Sequence, residues 1–144
     1  MVFILLLACA GMTGIHAQTA SQMEDPSSLI GLTIKDMISR FGVPDSVYAV
    51  RGGESWQDDV VFVYQSGDFY ILKYRVWQVG VKKAHEISIG DPRQAVLLVL
   101  GEKAKDSGNF ITADLPGKGW PLALRCEFDG ANRVSALFIY RSDI

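Results

Sequence analysis

Few side chains in this sequence could carry out a chemical reaction. His85 is the one histidine after residue 17, and no G-x-S-x-G nucleophile motif accompanies it. Cys126 is the one cysteine after residue 17, and it alternates with Leu124 and Phe128 on what should be the apolar face of a strand. We therefore expect an exposed histidine, a buried and inert thiol, and no catalytic residue.

Metal and cofactor binding also lack a signature. The densest acidic cluster, Glu54, Asp58 and Asp59, departs from the D-x-D-x-D-G pattern of calcium loops, and we expect it to keep a loop solvated. The glycines near 52 and 117 lack the G-x-x-x-x-G-K-S/T sequence that binds phosphate. The net charge of −2 mixes both signs, which does not favour nucleic acid. The prediction is no metal, no cofactor and no nucleic-acid partner.

The first seventeen residues resemble a signal peptide. They contain no charged side chain, and the apolar stretch 2–10 is shorter than the roughly 20 residues that span a bilayer. Cleavage after residue 17 would leave Gln18 at the N-terminus. Alternatively, residues 6–9, LLAC, resemble a lipobox, in which Cys9 would be acylated and would anchor the protein. Both routes predict an exported protein, periplasmic or associated with the outer membrane.

The rest of the chain divides into a polar leader and one domain. Residues 18–27 carry too few apolar side chains to fold, so they predict a flexible leader before a domain over 28–144. Two windows of equal length, 31–42 and 90–101, begin and end with glycine inside this domain. Each window predicts a short helix.

The first helix has clear start and stop signals. Thr33 can cap its N-terminus and Asp36 follows three residues later, as in a capping box. Gly42 supplies the left-handed C-terminal position and Pro44 prevents continuation. The predicted apolar stripe of this helix is Ile34, Met37, Ile38 and Phe41.

The second helix should begin and end by the same physics. Asp91 is the predicted cap, Pro92 the first helical residue, and Gln94 the capping-box partner. Gly101 is the predicted stop. The apolar stripe is Val96, Val99 and Leu100, widened by Leu97 and Leu98.

Strand-like segments follow each helix. They are 46–51, 60–64 and 69–79 after the first, and 110–115, 122–128 and 133–140 after the second. Their short connections require antiparallel pairing. The sequence therefore predicts an α+β domain made of two tandem repeats, 28–85 and 86–144, each a helix followed by a three-stranded antiparallel meander.

The first helical window also resembles a known family. Gly31-Leu-Thr, Asp36-Met37 and Phe41-Gly42-Val43-Pro44 are similar to the signature of the SmpA/OmlA (BamE-like) family. That family shares a helix-plus-antiparallel-sheet module with the β-lactamase inhibitory proteins, where the module occurs in tandem. The second window departs from the pattern, with Asp91-Pro92 near its start and no proline after Gly101. The resemblance implies a module of the envelope, or a secreted one, that binds other proteins.

Three residues are candidates for partner binding. Alternation along 69–79 predicts Tyr70, Leu72, Tyr74 and Val76 in the core. It therefore turns Arg75 and Trp77 outward, and Arg125 lies on the polar face of its own strand. Trp and Arg are enriched at binding hot spots. Alternatively, Trp77 caps the edge of the core and the cations only solvate the sheet.

Two functions are consistent with these patterns. The first is a non-catalytic protein-binding or assembly module of the cell envelope or the secreted fraction, with an envelope or secreted protein as its partner. The alternative is a small secreted hydrolase whose site shows no motif. The missing histidine and metal constellations favour the first.

Overall fold

The computed structural model describes residues 25–51 and 59–144. The predicted signal peptide, Cys9 and Gln18 lie outside these residues, as do Glu54 and Asp58. A 3₁₀ turn at Pro26–Leu29 precedes two helices, α1 at Ile34–Phe41 and α2 at Arg93–Leu100, and a second 3₁₀ turn, Gly101–Lys103, extends α2. The strands are β1 Ser46–Val50, β2 Asp59–Tyr64, β3 Gly67–Leu72, β4 Arg75–Gly80, β5 Lys83–Ala84, β6 Ile87–Ser88, β7 Lys105–Asp106, β8 Phe110–Leu115, β9 Leu122–Phe128 and β10 Val134–Arg141.

Eight of these strands form one antiparallel sheet. Their order is β1-β2-β3-β4-β10-β9-β8-β7, and β5 and β6 form a separate two-stranded ribbon. The predicted α+β class, with two helix-plus-three-strand repeats, is wrong. The described chain is mostly β, each short helix is followed by more than three strands, and the pairing of β4 with β10 joins all eight in a single sheet.

The error arises in the segment 69–79, which turns where one continuous strand was expected. Lys73 and Tyr74 have φ values of 48° and 66°, and they form a two-residue turn between β3 and β4. Left-handed turn positions normally carry Gly, Asn or Asp, so these two residues give no turn signal.

A bulge then changes the alternation a second time. Ile71 pairs with Val76 and Tyr70 pairs with Gln78, so Trp77 is the extra residue of β4. The predicted core set is therefore mostly wrong. Of its four members only Val76 is buried, whereas Tyr70 and Leu72 are half-buried and Tyr74 is 64% exposed. Phe69 and Ile71 occupy the core instead.

Helix α1 begins and ends as predicted. The Thr33 hydroxyl accepts from the backbone N–H of Asp36, and the Asp36 carboxylate accepts from the backbone N–H of Thr33. The Thr33 hydroxyl also donates to Oδ2 of Asp36 at 2.6 Å, and this bond, together with the one from the Thr33 backbone, holds the pKa of Asp36 below its usual value. Gly42 ends the helix with φ of 80° and donates its N–H to the carbonyl of Ile38. On the predicted stripe Met37 is fully buried, whereas the side chain of Ile38 is exposed.

Helix α2 begins differently from the prediction. Its N-cap is Pro92, and no side chain caps it. The Asp91 carboxylate accepts instead from the backbone N–H of Ser88, 2.7 Å away, and thereby closes the turn that follows β6. Gly101 ends the helix with φ of 55° and donates to the carbonyl of Leu97, as expected for a helix stop.

Both helices, the ribbon and the first 3₁₀ turn cover the same side of the sheet. Phe41 of α1 lies 5.6 Å, between ring centroids, from both Tyr64 and Phe69. The guanidinium of Arg93 in α2 lies 4.6 Å from the ring of Phe128 on the same side. We call this side the closed face. Its fully buried strand residues include Phe69, Val76, Val79, Ile111, Leu124, Cys126, Leu137 and Ile139.

Candidate functional site

The other side of the sheet, which we call the open face, carries two rows of side chains across the strands. Directly paired residues in antiparallel strands share a face, so the register defines each row. The first row is Tyr48, Val61, Tyr70, Gln78, Tyr140, Ala123 and Asp114. The second row is Ser46, Val63, Asp68, Gly80, Phe138, Arg125, Thr112 and Lys105. Residues in the described helices pack on the closed face instead.

An aromatic pair occupies the centre of the open face. The rings of Tyr70 and Phe138 meet edge to face, with centroids 6.1 Å apart and planes at 81°. Gly80 lies between Phe138 and Asp68 in the register, and a Cβ at Gly80 would come within 3.4 Å of the Phe138 ring. The missing side chain therefore lets the Phe138 ring lie close to the sheet.

The surroundings of Tyr70 make its hydroxyl harder to ionise. Burial raises the pKa of Tyr70 to about 12, and the neighbouring Tyr48 hydroxyl and Asp68 carboxylate act in the same direction. Tyr70 therefore keeps its proton at physiological pH and presents a neutral hydroxyl on the open face.

Trp77 lies beside this centre and is held by a hydrogen bond. Its indole Nε1 donates to Oδ1 of Asp59 at 3.1 Å, and Asp59 is almost wholly shielded from solvent. Because the bulge turns the indole across β3 toward β2, Trp77 is half-buried and covers part of the sheet. It contributes to the open face as a fixed aromatic surface.

Arg125 lies on the other half of the open face. Its guanidinium stacks 4.1 Å from the ring of Phe110 and bonds to the Glu127 carboxylate at 2.8 Å. Its Nε is shielded from solvent and makes no hydrogen bond within the described part of the chain. Stacking and the ion pair fix the orientation of the guanidinium.

Arg75 does not join the other two candidates. It follows the Lys73-Tyr74 turn at the end of the sheet, and its Nη1 donates to the carbonyl of Gly31 at 2.8 Å. Arg133 makes the equivalent bond to the carbonyl of Gly90 at 2.9 Å before α2. In both places an arginine at or immediately before the start of a strand donates a hydrogen bond to the segment that precedes a helix. The structure therefore brings Trp77 and Arg125 to the open face and gives Arg75 a structural contact.

The aromatic centre itself was not predicted from the sequence. Alternation along 69–79 assigns Tyr70 to the core, and Phe138, Tyr140 and Phe110 were not among the candidates. One available signal was strand length, because strands average five or six residues and an eleven-residue strand was improbable. A turn near 73 would have placed Phe69 and Tyr70 on the correct faces.

Cys126 is buried and His85 is exposed, as the sequence predicted. Cys126 is fully buried, and burial raises the pKa of its thiol to about 12, so the nucleophilic thiolate is scarce at neutral pH. His85 is exposed in the β5–β6 turn, with φ of 48°. In residues 25–51 and 59–144, no three His, Cys, Asp or Glu side chains are grouped to hold a metal ion. No helix in those ranges is long and apolar enough to cross a membrane.

Comparison with known proteins gives a distant structural relative. No family model and no curated protein matches the chain, so the resemblance to the SmpA/OmlA family stays a prediction. Among solved structures, an extracellular protein containing a SCP domain from Bacillus anthracis str. Ames superposes with a TM-score of 0.55 over 87% of this chain. The identity is 11%, and the match spans 48% of that protein, about half its length. This likeness concerns the fold alone.

Proposed function

We propose that this protein is a non-catalytic, exported module that binds another protein through the open face of its sheet. The observation that carries the proposal is the one-sided covering of the sheet. The described helices and the ribbon pack on the closed face, while Tyr70, Trp77, Phe138 and Arg125 remain on the other. An antiparallel sheet that faces only water usually turns polar residues outward, and aromatic rings are costly there without a partner.

The composition of the open face supports a protein partner. Aromatic and arginine side chains are enriched at the centre of protein interfaces, whereas Lys and Glu are depleted there. The centre of this face follows that pattern with Tyr70 and Phe138, and charged residues such as Lys105 and Asp114 lie toward the β7–β8 side. The aromatic pair is flanked in the register by Arg125 and Asp68, so the centre of this face combines aromatic and charged side chains, as protein interfaces do.

The rigidity of these side chains also supports binding. Trp77 is fixed by Asp59, and Arg125 by Phe110 and Glu127. Side chains that are already ordered lose little conformational entropy when a partner binds. The planar guanidinium of Arg125 is thus ready to donate to a carboxylate or a backbone carbonyl of the partner.

Export to the periplasm or the outer membrane is part of the proposal. It is supported by the signal-like residues 1–17, and the structural relative is described as extracellular. Mass measurement of the intact native protein tests it, because a mature chain beginning at Gln18 or at an acylated Cys9 is expected. An unprocessed chain in the cytosol would refute this part.

The binding proposal is tested with variants of the open face. The mature chain, immobilised, is used to capture soluble and detergent-extracted envelope proteins, and the bound proteins are identified by mass spectrometry. We expect Phe138→Ala and Arg125→Ala to lose a specific partner at a temperature where circular dichroism shows both variants to be folded. The side chain of Leu98 on α2 is 79% exposed, so Leu98→Ala is the matched control and should still capture the partner. Equal capture by all variants would refute the open face as the binding site.

A further inference from the structure

The open face contains a cavity of about 490 Å³ beside the end of β4. Gly80, the last residue of β4, lines this cavity and lies between Asp68 and Phe138 in the register. A Cβ at Gly80 would lie 3.5 Å from the Cβ of Asp68 and 3.4 Å from the ring of Phe138. Tyr70 lines the same cavity. The lack of a side chain at Gly80 therefore leaves room between a carboxylate and a pair of aromatic rings.

Neither backbone conformation nor crowding explains the glycine at position 80. The φ angle of Gly80 is not positive, so its backbone does not require glycine. A Cβ there would meet no atom closer than 3.4 Å, which is an ordinary contact distance. Gly80 also pairs with strands on both sides, and glycine within a sheet often marks a place where a ligand or another backbone approaches closely. The space above Gly80 is therefore a candidate binding site.

The charges around the cavity favour a cation. Asp68 and Asp45 line it with carboxylates, and Lys82 lines it with an ammonium group. In the part of the chain that the structure describes, the Asp68 carboxylate forms no ion pair with Lys82 or with another side chain. Two carboxylates and one ammonium group leave an excess of negative charge, which complements a cation rather than an anion.

We infer that this cavity binds the cationic side chain of a lysine or an arginine of the protein partner. The inference rests on the proposed function, and it names the group that the partner brings to this part of the open face. Both side chains combine an apolar stem, which packs on aromatic rings, with a charged end that donates to a carboxylate. Phe138 and Tyr70 supply the rings, and Asp68 supplies the carboxylate. Aromatic rings also attract cations directly.

Titration of the mature chain with capped amino acids tests the cavity in the absence of the partner. The ligands are the N-acetylated amides of lysine, arginine and norleucine, because norleucine has the apolar stem without the charge. We expect the lysine or the arginine amide to shift the backbone amide NMR signals of Asp68, Gly80 and Phe138 until the site is saturated. The norleucine amide should bind much more weakly. The ratio of the lysine and arginine affinities identifies the preferred cation.

Four variants separate the carboxylate and the space from general charge effects. Asp68→Asn keeps the shape of the side chain and should weaken cation binding about tenfold. Gly80→Ala fills the space with a methyl group that the sheet can accommodate, so this variant should fold and should also bind more weakly. Lys82→Met removes a like charge from the cavity and should bind at least as well as the wild type. Asp114→Asn, on the same face but outside the cavity, should be unchanged.

Three outcomes would overturn the inference. The absence of saturable shifts with both cations, or equal binding of the norleucine amide, would show that the cavity does not recognise a charged side chain. Equal losses of affinity in Asp68→Asn and Asp114→Asn would show that the Asp68 carboxylate is not the specific contact. Capture of the partner by Phe138→Ala and Arg125→Ala tests the proposed function separately, because the capped amino acids bind or fail to bind without that partner.

Discussion

The closed and open faces of the sheet bury residues in different ways. On the closed face, side chains such as Leu124 and Ile139 are shielded by helices and by the ribbon. On the open face, Val61 is 0% exposed and Ala123 3% exposed, although the described helices lie on the other side. The closed face therefore carries the core that the helices cover, whereas the open face combines buried small side chains with aromatic rings that are partly exposed.

The largest expected difference in stability between the two faces is between substitutions at two adjacent residues, Phe69 and Tyr70. Phe69 packs between Phe41 and Tyr64 on the closed face, so Phe69→Ala should cost about 3–5 kcal/mol of unfolding free energy. Tyr70→Ala removes a half-buried ring from the open face and should cost clearly less. Denaturant unfolding of both variants measures the difference. Equal losses would show that the open face is as important for stability as the core.

Trp77 tests whether the open face is rigid. Trp77→Phe keeps a ring but removes the donor to the shielded carboxylate of Asp59, and this should cost about 1–3 kcal/mol. The control is Trp120→Phe, because Trp120 is partly exposed and stacks under Arg141 without a hydrogen bond from its indole among the described contacts. If both variants lose the same stability, the Trp77–Asp59 bond does not hold the indole in place.

The pH dependence of stability should reveal the ionisation of the Tyr70 hydroxyl. Its pKa is raised from 10 to about 12 in the folded protein, so the native state holds the proton more tightly than the unfolded chain. The resulting stabilisation is complete below pH 10 and is lost as the pH rises through 12. In Tyr70→Phe the melting temperature should fall less steeply at high pH. The tyrosine ionisation that occurs at the highest pH should also be missing when tyrosinate absorbance is followed against pH. An unchanged titration would mean that the centre of the open face is well hydrated.

The smallest expected effect on stability concerns Arg125. Its ion pair with Glu127 is partly exposed and should contribute about 0–1 kcal/mol. Arg125→Met keeps an apolar stem over Phe110 and should leave the melting temperature nearly unchanged. A large loss of stability would indicate a structural role for the guanidinium rather than a role in recognition.

Parts of the fold with strong local signals were predictable from sequence. The capping box of α1 and its glycine stop were confirmed, and β8 and β9 have the predicted bounds because Pro and Gly separate them. The cap of α2 was wrong, since the Asp91 carboxylate has two possible backbone partners and binds Ser88. A local pattern does not choose between them.

The candidate site was less predictable because its geometry depends on long-range pairing. Lys73 and Tyr74 adopt left-handed turn conformations that their side chains do not favour. The turn exists because β3 and β4 bury Phe69, Ile71 and Val76 when they pair. Trp77 was correctly placed outside the core interior, but for the wrong reason, because a bulge rather than simple alternation sets its direction.

The central claim is that the open face binds a protein partner. Site-specific photocrosslinking in cells producing the protein tests it most directly, with p-benzoylphenylalanine in place of either Phe138 or Leu98. We predict crosslinks to a specific envelope or secreted protein from position 138 and none from position 98, which lies on α2 over the closed face. Crosslinks to a partner from position 98 with none from position 138 would contradict the account.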